Sequence, residues 1–243
     1  MKNKVILLGY YGGDERHCLS AWQSTNVELG IELPADILER VHRLYEETVL
    51  LKKKGPEELL CMLAKHGHTS PFRKSYLDFQ ITADIASHIH SIKHKVGVEI
   101  NSESARYKEL VDKYYIPCDW LDLKVNNESL YEAGLAQYKD LTWAEVLMEH
   151  SEHGNKLYHE CAKQTTEILG RKRAKESSRY FLGYNKQLDY DMQMSFQAFI
   201  HFLQLRGNPA AQIEIKAIAY RMLQLVRDIP GNPFEYSLKA FGY

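Results

Sequence analysis

No apolar run in this 243-residue sequence approaches the length needed to cross a bilayer, so no membrane span is expected. The N-terminal MKNKVILLGYYGGDERH carries too short an apolar stretch for a secretory signal and lacks a small-residue cleavage site, which predicts a cytoplasmic protein with no membrane partner. Cysteine is sparse and scattered. Cys18, Cys61, Cys118 and Cys161 form no close pair, which argues against a zinc knuckle, a redox dithiol or a disulfide framework and leaves buried free thiols as the default. An excess of one charge is also missing. With a formal net charge of −1, the whole chain makes no case for nucleic acid, so any anion recognition must be local. Repeats, low-complexity tracts and linkers are absent, and 44% hydrophobic content suffices for a sizeable core, so residues 1–243 are expected to form a single domain.

Several motifs stop short of completion. Gly12 and Gly13 follow an expected strand over Val5 to Tyr11, but the G-x-G-x-x-G spacing of a dinucleotide fingerprint is absent. His66 and His68 have no accompanying carboxylate or thiolate. His90 and His94 stand four apart, yet the residues between them include no glutamate base, and Lys93 and Lys95 would repel a divalent cation. No metal site is expected.

What is present concentrates between Lys93 and Tyr107. Ile85, Ile89, Ile92 and Val96 recur at helical spacing, which predicts an apolar face with His90 and His94 on the other side and Gly97 as the stop. Lys93 and Lys95 then fall where a helix dipole favours cations without any ligand. The following Asn101, Ser102, Ser104 and Arg106 add hydroxyls, backbone donors and a guanidinium fork, the groups that grip phosphate. Together they suggest an anionic ligand. Ser104 has no Ser-His-acid order around it, which favours phosphate or sugar binding over a nucleophile. Taken alone, Arg106 reads as a surface ion pair and Arg179 as a helix-end charge.

Elsewhere, Leu19 to Gln23 could begin a short helix, and Pro34 is expected to open a longer one with Ile37, Leu38, Val41, Leu44, Tyr45, Thr48 and Val49 on one face. Pro56 starts another, stopped at Gly67. Ser75, Leu77, Phe79 and Ile81 alternate with polar residues as a half-buried strand. From Asn127 to about Gly170 the pattern is helical, with a break expected near Gly154 and with Leu130, Tyr131, Leu135, Tyr138, Trp143, Val146 and Leu147 as core. Arg171 to Arg173 read as a solvated loop. Tyr190 to Met194 read as extended, with Ser195 capping a helix through Phe199, Phe202 and Leu205, and Asn208-Pro209 is expected to start the next. That helix buries Ile215, Ile218, Met222, Leu225 and Ile229, and a short terminal helix carries Phe234, Leu238 and Phe241.

The order His66-Gly67-His68, Ser70-Pro71-Phe72, Lys93-His94-Lys95, Asn101 to Tyr107, Arg179 and Phe202 to Arg206 resembles the flavin-dependent thymidylate synthases, from about Leu19 to Phe241. Lys-His-Lys replaces the family's Arg-His-Arg, and the eight residues between Lys95 and Ser104 are one more than the family spacing. Lysine keeps the charge but loses the planar fork. Arg73 stands where the family has an acid, Gln197 where it has an arginine and Ala210 where it has a histidine.

The resemblance implies an α+β fold, a curved antiparallel β-sheet with long flanking helices. It implies FAD contacts from Ser70, Lys93, His94, Lys95 and Asn101, with Ser195, Gln197 and His201 closing over the cofactor and His68 near the flavin ring. For dUMP it implies His90, Ser102, Ser104 and Arg106 on one side, Arg179 from a neighbouring subunit, and Arg206 facing the uracil as the catalytic residue. The implied reaction converts dUMP, methylenetetrahydrofolate and NADPH into dTMP in a homotetramer with shared sites. A related enzyme placing another one-carbon group, such as hydroxymethyl, on a pyrimidine nucleotide is the near alternative. A non-catalytic nucleotide-binding relative is the other.

Overall fold

A computed structural model describes residues 2–23, 32–37 and 39–243; Leu38 of the expected apolar face lies outside them. Four strands, β1 (Lys4–Tyr11), β2 (Tyr76–Asp84), β3 (Val98–Ser102) and β4 (Gln187–Ser195), form an antiparallel sheet in the order β1-β2-β4-β3. The helices, in chain order, are α1 (Asp14–Trp22), α2 (Glu39–Val49), α3 (Pro56–Lys65), α4 (Ile85–Ile92), α5 (Asn127–Glu132), α6 (Trp143–Leu169), α7 (Arg171–Ser178), α8 (Phe196–Arg206), α9 (Ile213–Arg227) and α10 (Glu235–Ala240). The expected α+β class with helices flanking an antiparallel sheet is therefore what the chain forms. Two compact units are distinguished, one of Met1–Lys4, Thr82–Ser91 and Ser102–Tyr190, the other of Val5–Ile81, Ile92–Asn101 and Asp191–Tyr243.

The second unit holds the larger apolar core. Along β2 the alternation of Leu77, Phe79 and Ile81 with polar residues buries one row completely, as period-two patterning dictates. Met192 and Met194 of β4 and Phe196, Phe199 and Phe202 of α8 are also wholly buried. Phe79 stacks on Phe199 at 6.1 Å and Phe196 on Phe234 at 5.1 Å. Ser195 caps α8, its Oγ accepting from Ala198 N at 3.2 Å.

Three helix starts differ from expectation in this unit. α1 begins at Asp14 rather than near Leu19, because the Asp14 carboxylate takes the backbone N–H groups of Tyr236 and Ser237 at 2.7 and 2.9 Å and so ties α1 to the first turn of α10. α2 begins at Glu39, since the Pro34 carbonyl is engaged by Arg40 Nε at 3.0 Å. α9 begins at Ile213 because Asn208 Oδ1 accepts from Ala210 N at 2.9 Å, closing a local turn in place of a cap.

In the first unit, α4 departs most from its sequence pattern. It ends at Ile92, so Lys93 to Val96 follow the helix rather than close it, and Val96 is 82% exposed. Its buried residues are Ser87 and Ser91, with Ile85 and Ile89 only half-buried. Polar residues can face inward here because each is satisfied: Ser87 Oγ donates to Asp84 Oδ2 at 2.8 Å, and Ser91 Oγ pairs with Tyr190 Oη at 2.9 Å. Asn101 and Ser102, grouped in the sequence with Ser104 and Arg106, lie on strand β3 at the sheet edge. Arg171 to Arg173 open helix α7. Of the expected core positions, Leu130 is buried, whereas Tyr131 and Trp143 are exposed and α6 turns Ala144, Tyr158 and Ala162 inward.

α6 also runs unbroken through Gly154. A Cβ there would stand 2.6 Å from the Phe181 carbonyl oxygen, so the glycine serves close packing rather than a helix break. Alanine in a helix interior ordinarily stabilises by about 0.5–1 kcal/mol relative to glycine. Gly154→Ala is expected to reverse that sign and destabilise by about 1–3 kcal/mol, as overpacking does, measured by denaturant unfolding. A stabilised variant would contradict the close approach.

Candidate functional site

The second unit carries a cavity, open to solvent on one side, of about 420 Å³ lined by Arg73, Lys93, His94, Lys95, Val96, Gly97, Val98, Ser195, Gln197, Ala198, His201, Leu205 and Arg206. Local sequence explains the arrangement. Gln197, His201 and Leu205 recur every four residues, so one face of α8 turns toward the cavity. The opposite wall is the segment after α4, where Gly97 adopts φ +69° and its carbonyl accepts from Ser195 N at 2.9 Å. A Cβ on Gly97 would stand 2.8 Å from Ser195 Oγ, so this approach needs glycine.

The electrostatics of the cavity are one-sided. Two lysines and two arginines line it, and among the described residues none of the lining side chains is an acid. Arg206 Nε donates to His94 Nε2 at 3.0 Å. His94 is 9% exposed, its ring 4.9 Å from Phe202 and 5.9 Å from His201. Burial lowers the Arg206 proton affinity from its ordinary value, though guanidinium stays charged at any working pH. Gln197 Oε1 is buried without a hydrogen-bond partner. Such an acceptor costs free energy unless a ligand donor reaches it.

The structure thus gathers Lys93, His94, Lys95, Ser195, Gln197, His201 and Arg206 around one cavity. It does not bring in His68 or Ser70, both exposed, or Asn101, whose N–H donates to Asp191 Oδ1 at 3.1 Å. Arg73 is a lining residue not proposed as a site residue from sequence; its position after Ser70-Pro71-Phe72 in a 3-10 turn was the available signal.

The first unit carries its own cleft of about 350 Å³, lined by Ile85, Glu103, Ser104, Ala105, Leu110, Arg179, Tyr180, Leu182 and Leu188. Ser104 and Arg179 both line it. Arg106 is outside the lining, its Nε paired with Glu176 Oε1 at 2.5 Å, and Ser104 Oγ accepts from Arg106 N at 3.3 Å. Ser102 Oγ lies 2.7 Å from Nε2 of His88, an imidazole whose proton affinity burial lowers. His90 lines neither cavity. Among the described residues Glu103 is the one acid lining the cleft, and it is offset by Lys108 Nζ at 2.5 Å, which raises the lysine's proton affinity.

Beyond the cleft, the chain is tied to α6. Leu110 N donates to Tyr158 Oη at 3.1 Å, and His159 bonds Glu109 through Nδ1 at 2.5 Å and Asp112 through Nε2 at 2.8 Å. Both ring nitrogens can donate only in the imidazolium form. Burial alone would lower the His159 proton affinity, but the two carboxylates outweigh it and hold it above the ordinary value. Among the described residues no cluster of His, Cys, Asp and Glu could hold a metal, and no helix is long and apolar enough to cross a membrane.

The fold is shared with solved structures of another protein. The UMP/dUMP methylase PolB of Streptomyces cacaoi matches with a TM-score of 0.66 when bound with 5-Br UMP and 0.69 with 5-Br dUMP, at 18% and 20% identity, covering 99% of this chain and 93% and 94% of those chains. The family model described as thymidylate synthase complementing protein (Thy1) matches residues 7–230, and the chain belongs to that family. Similar proteins include the flavin-dependent thymidylate synthases of Gluconobacter oxydans (strain 621H), 26% identical over 195 residues, and of Thermosipho africanus (strain TCF52B), 27% identical over 202 residues; each match covers 78% of this chain. The matched region spans 63% of the first protein's length and 81% of the second's.

A histidine whose folded proton affinity is raised contributes stability below its unfolded pKa and loses that contribution as pH rises through the folded value. The difference in thermal midpoint between wild type and His159→Ala is therefore expected to be largest near about pH 6 and to shrink toward about pH 9. A difference that grows with pH would contradict the double carboxylate clasp.

Proposed function

We propose that residues 1–243 act as one flavin-dependent thymidylate synthase domain, methylating dUMP to dTMP with methylenetetrahydrofolate as one-carbon donor and NADPH as reductant through FAD. The observation that carries this reading is the cavity of the second unit, where the described residues place four cations and no acid around a buried Gln197 acceptor that has no hydrogen-bond partner. Those residues fit FAD: a diphosphate would be held by Lys93 and Lys95 as point charges, with Arg73 adding a fork, and an imide N–H would satisfy Gln197 Oε1. Bound flavin would supply hydride and one-carbon transfer, leaving the protein to bind, orient and polarise. His68, Ser70 and Asn101 would join as ligands only from outside the cavity lining.

The substrate reading rests on the resemblance and on the names of the similar proteins. Ser104 and Arg179 of the first unit's cleft would take the phosphate and sugar, with Ser102, Arg106 and His90 as further contacts. A phosphate reaching Arg106 would compete with Glu176 for it. Arg206 would face the uracil and stabilise negative charge developing on the ring. A homotetramer in which Arg179 serves a neighbouring site, and a cytoplasmic setting, complete the reading.

The test is release of tritium from C5 of dUMP by the purified protein supplied with FAD, folate donor and NADPH, with product mass separating methyl from hydroxymethyl. Absence of flavin binding and of tritium release would refute it, and tight dUMP binding without turnover would point to a non-catalytic relative. Arg206→Ala is expected to lower kcat by about 10²–10³-fold, as loss of a charge-stabilising donor does, while flavin content falls far less. Equal loss of both would contradict the placement of Arg206 at the uracil.

A further inference from the structure

We propose that His94 is the positioning residue for Arg206: a neutral imidazole, protonated on Nδ1, whose Nε2 accepts from the guanidinium and so fixes where its fork points. This deepens the reading of Arg206 at the pyrimidine and rests on it. The protonation state follows from donor chemistry. Arg206 Nε can only donate, so the His94 Nε2 at 3.0 Å can only be the bare lone pair. The neighbours reinforce that state. His94 is buried against Phe202, and among the described residues the titratable or charged groups lining the cavity are Arg73 from the 3-10 turn, Lys93 and Lys95 on its own segment, and His201 and Arg206 on α8. A second proton on His94 would abolish the acceptor and set two cations 3.0 Å apart.

The device has a purpose for the chemistry. A long arginine side chain has many rotamers, and transition-state stabilisation by a fixed dipole or charge requires that it be aimed beforehand. Anchoring at Nε ties the guanidinium plane to a ring that is itself packed against aromatic neighbours. An acid limb in the pH dependence of turnover is the consequence, because protonating His94 removes this anchor of Arg206.

Two measurements test this. In the resting protein, without nucleotide, the imidazole ¹⁵N shifts of His94 are expected to show protonated Nδ1 and bare Nε2, with the Nε2 signal moving in Arg206→Ala. In turnover, His94→Leu is expected to lower kcat about 10²-fold, the scale of a misplaced group. His94→Gln, which keeps an acceptor but cannot take a proton, is expected to recover turnover to within a few-fold and to lose the acid limb. A protonated Nε2, or a His94→Gln variant as impaired as His94→Leu at equal flavin content, overturns the inference. Wild-type protein lacking dUMP turnover overturns the functional reading instead, and the ¹⁵N shifts then decide the pair alone.

Discussion

The cavity of the second unit depends on one joint, the meeting of Ser195 with Gly97. Ser195 ends β4, caps α8 through its hydroxyl and gives its N–H to the Gly97 carbonyl, so one residue fixes both the start of the helix and the position of the loop facing it. Gly97 permits this because its φ of +69° and its missing Cβ let the backbone approach Ser195 Oγ. Gln197 and His201 then project from α8 at fixed angles, while Lys93, His94 and Lys95 arrive on the opposite wall. Any larger residue at 97 would have to push one wall away from the other.

Gathering Arg73, Lys93 and Lys95 around a single space carries an electrostatic cost that an anion would relieve. Gln197 Oε1 adds a second cost, since a buried acceptor without a donor pays its desolvation in full. Both costs have the same remedy, a ligand that is anionic at one part and an N–H donor at another. Arg206 is also held by an imidazole, its Nε donating to His94 Nε2. In the first unit the opposite arrangement prevails: Arg106 is already paired with Glu176, and Glu103 with Lys108. Its cleft keeps Arg179 and Ser104 as the groups able to meet a phosphate.

Much of this was legible where local chemistry and tertiary packing agree. The alternation of Leu77, Phe79 and Ile81 and the Ser195 cap both appear in the sequence and in the fold. The cation cluster was visible too, although placed in a last helical turn that α4 does not reach. Hydrophobic periodicity failed at α4 because Ser87 and Ser91 find hydrogen-bond partners in Asp84 and Tyr190, and no count of apolar residues shows that. It failed at Gly154 because the reason for glycine is a carbonyl at Phe181, distant in sequence. The short edge strand β3 carries Glu99, Asn101 and Ser102, so its composition resembles a loop. Of the flavin residues implied by resemblance, those on the Lys93 segment and α8 converge, whereas His68, Ser70 and Asn101 do not reach the cavity lining.

The central claim is that this lysine- and arginine-lined cavity holds the flavin. Fluorescence titration of FAD into purified protein tests it directly, comparing wild type with the double variant Lys93→Gln/Lys95→Gln. Loss of two charge-assisted contacts is expected to weaken FAD affinity by more than about tenfold, with the wild-type affinity itself falling as salt is added. Unchanged affinity in the double variant, or no binding by the wild type, would contradict the account.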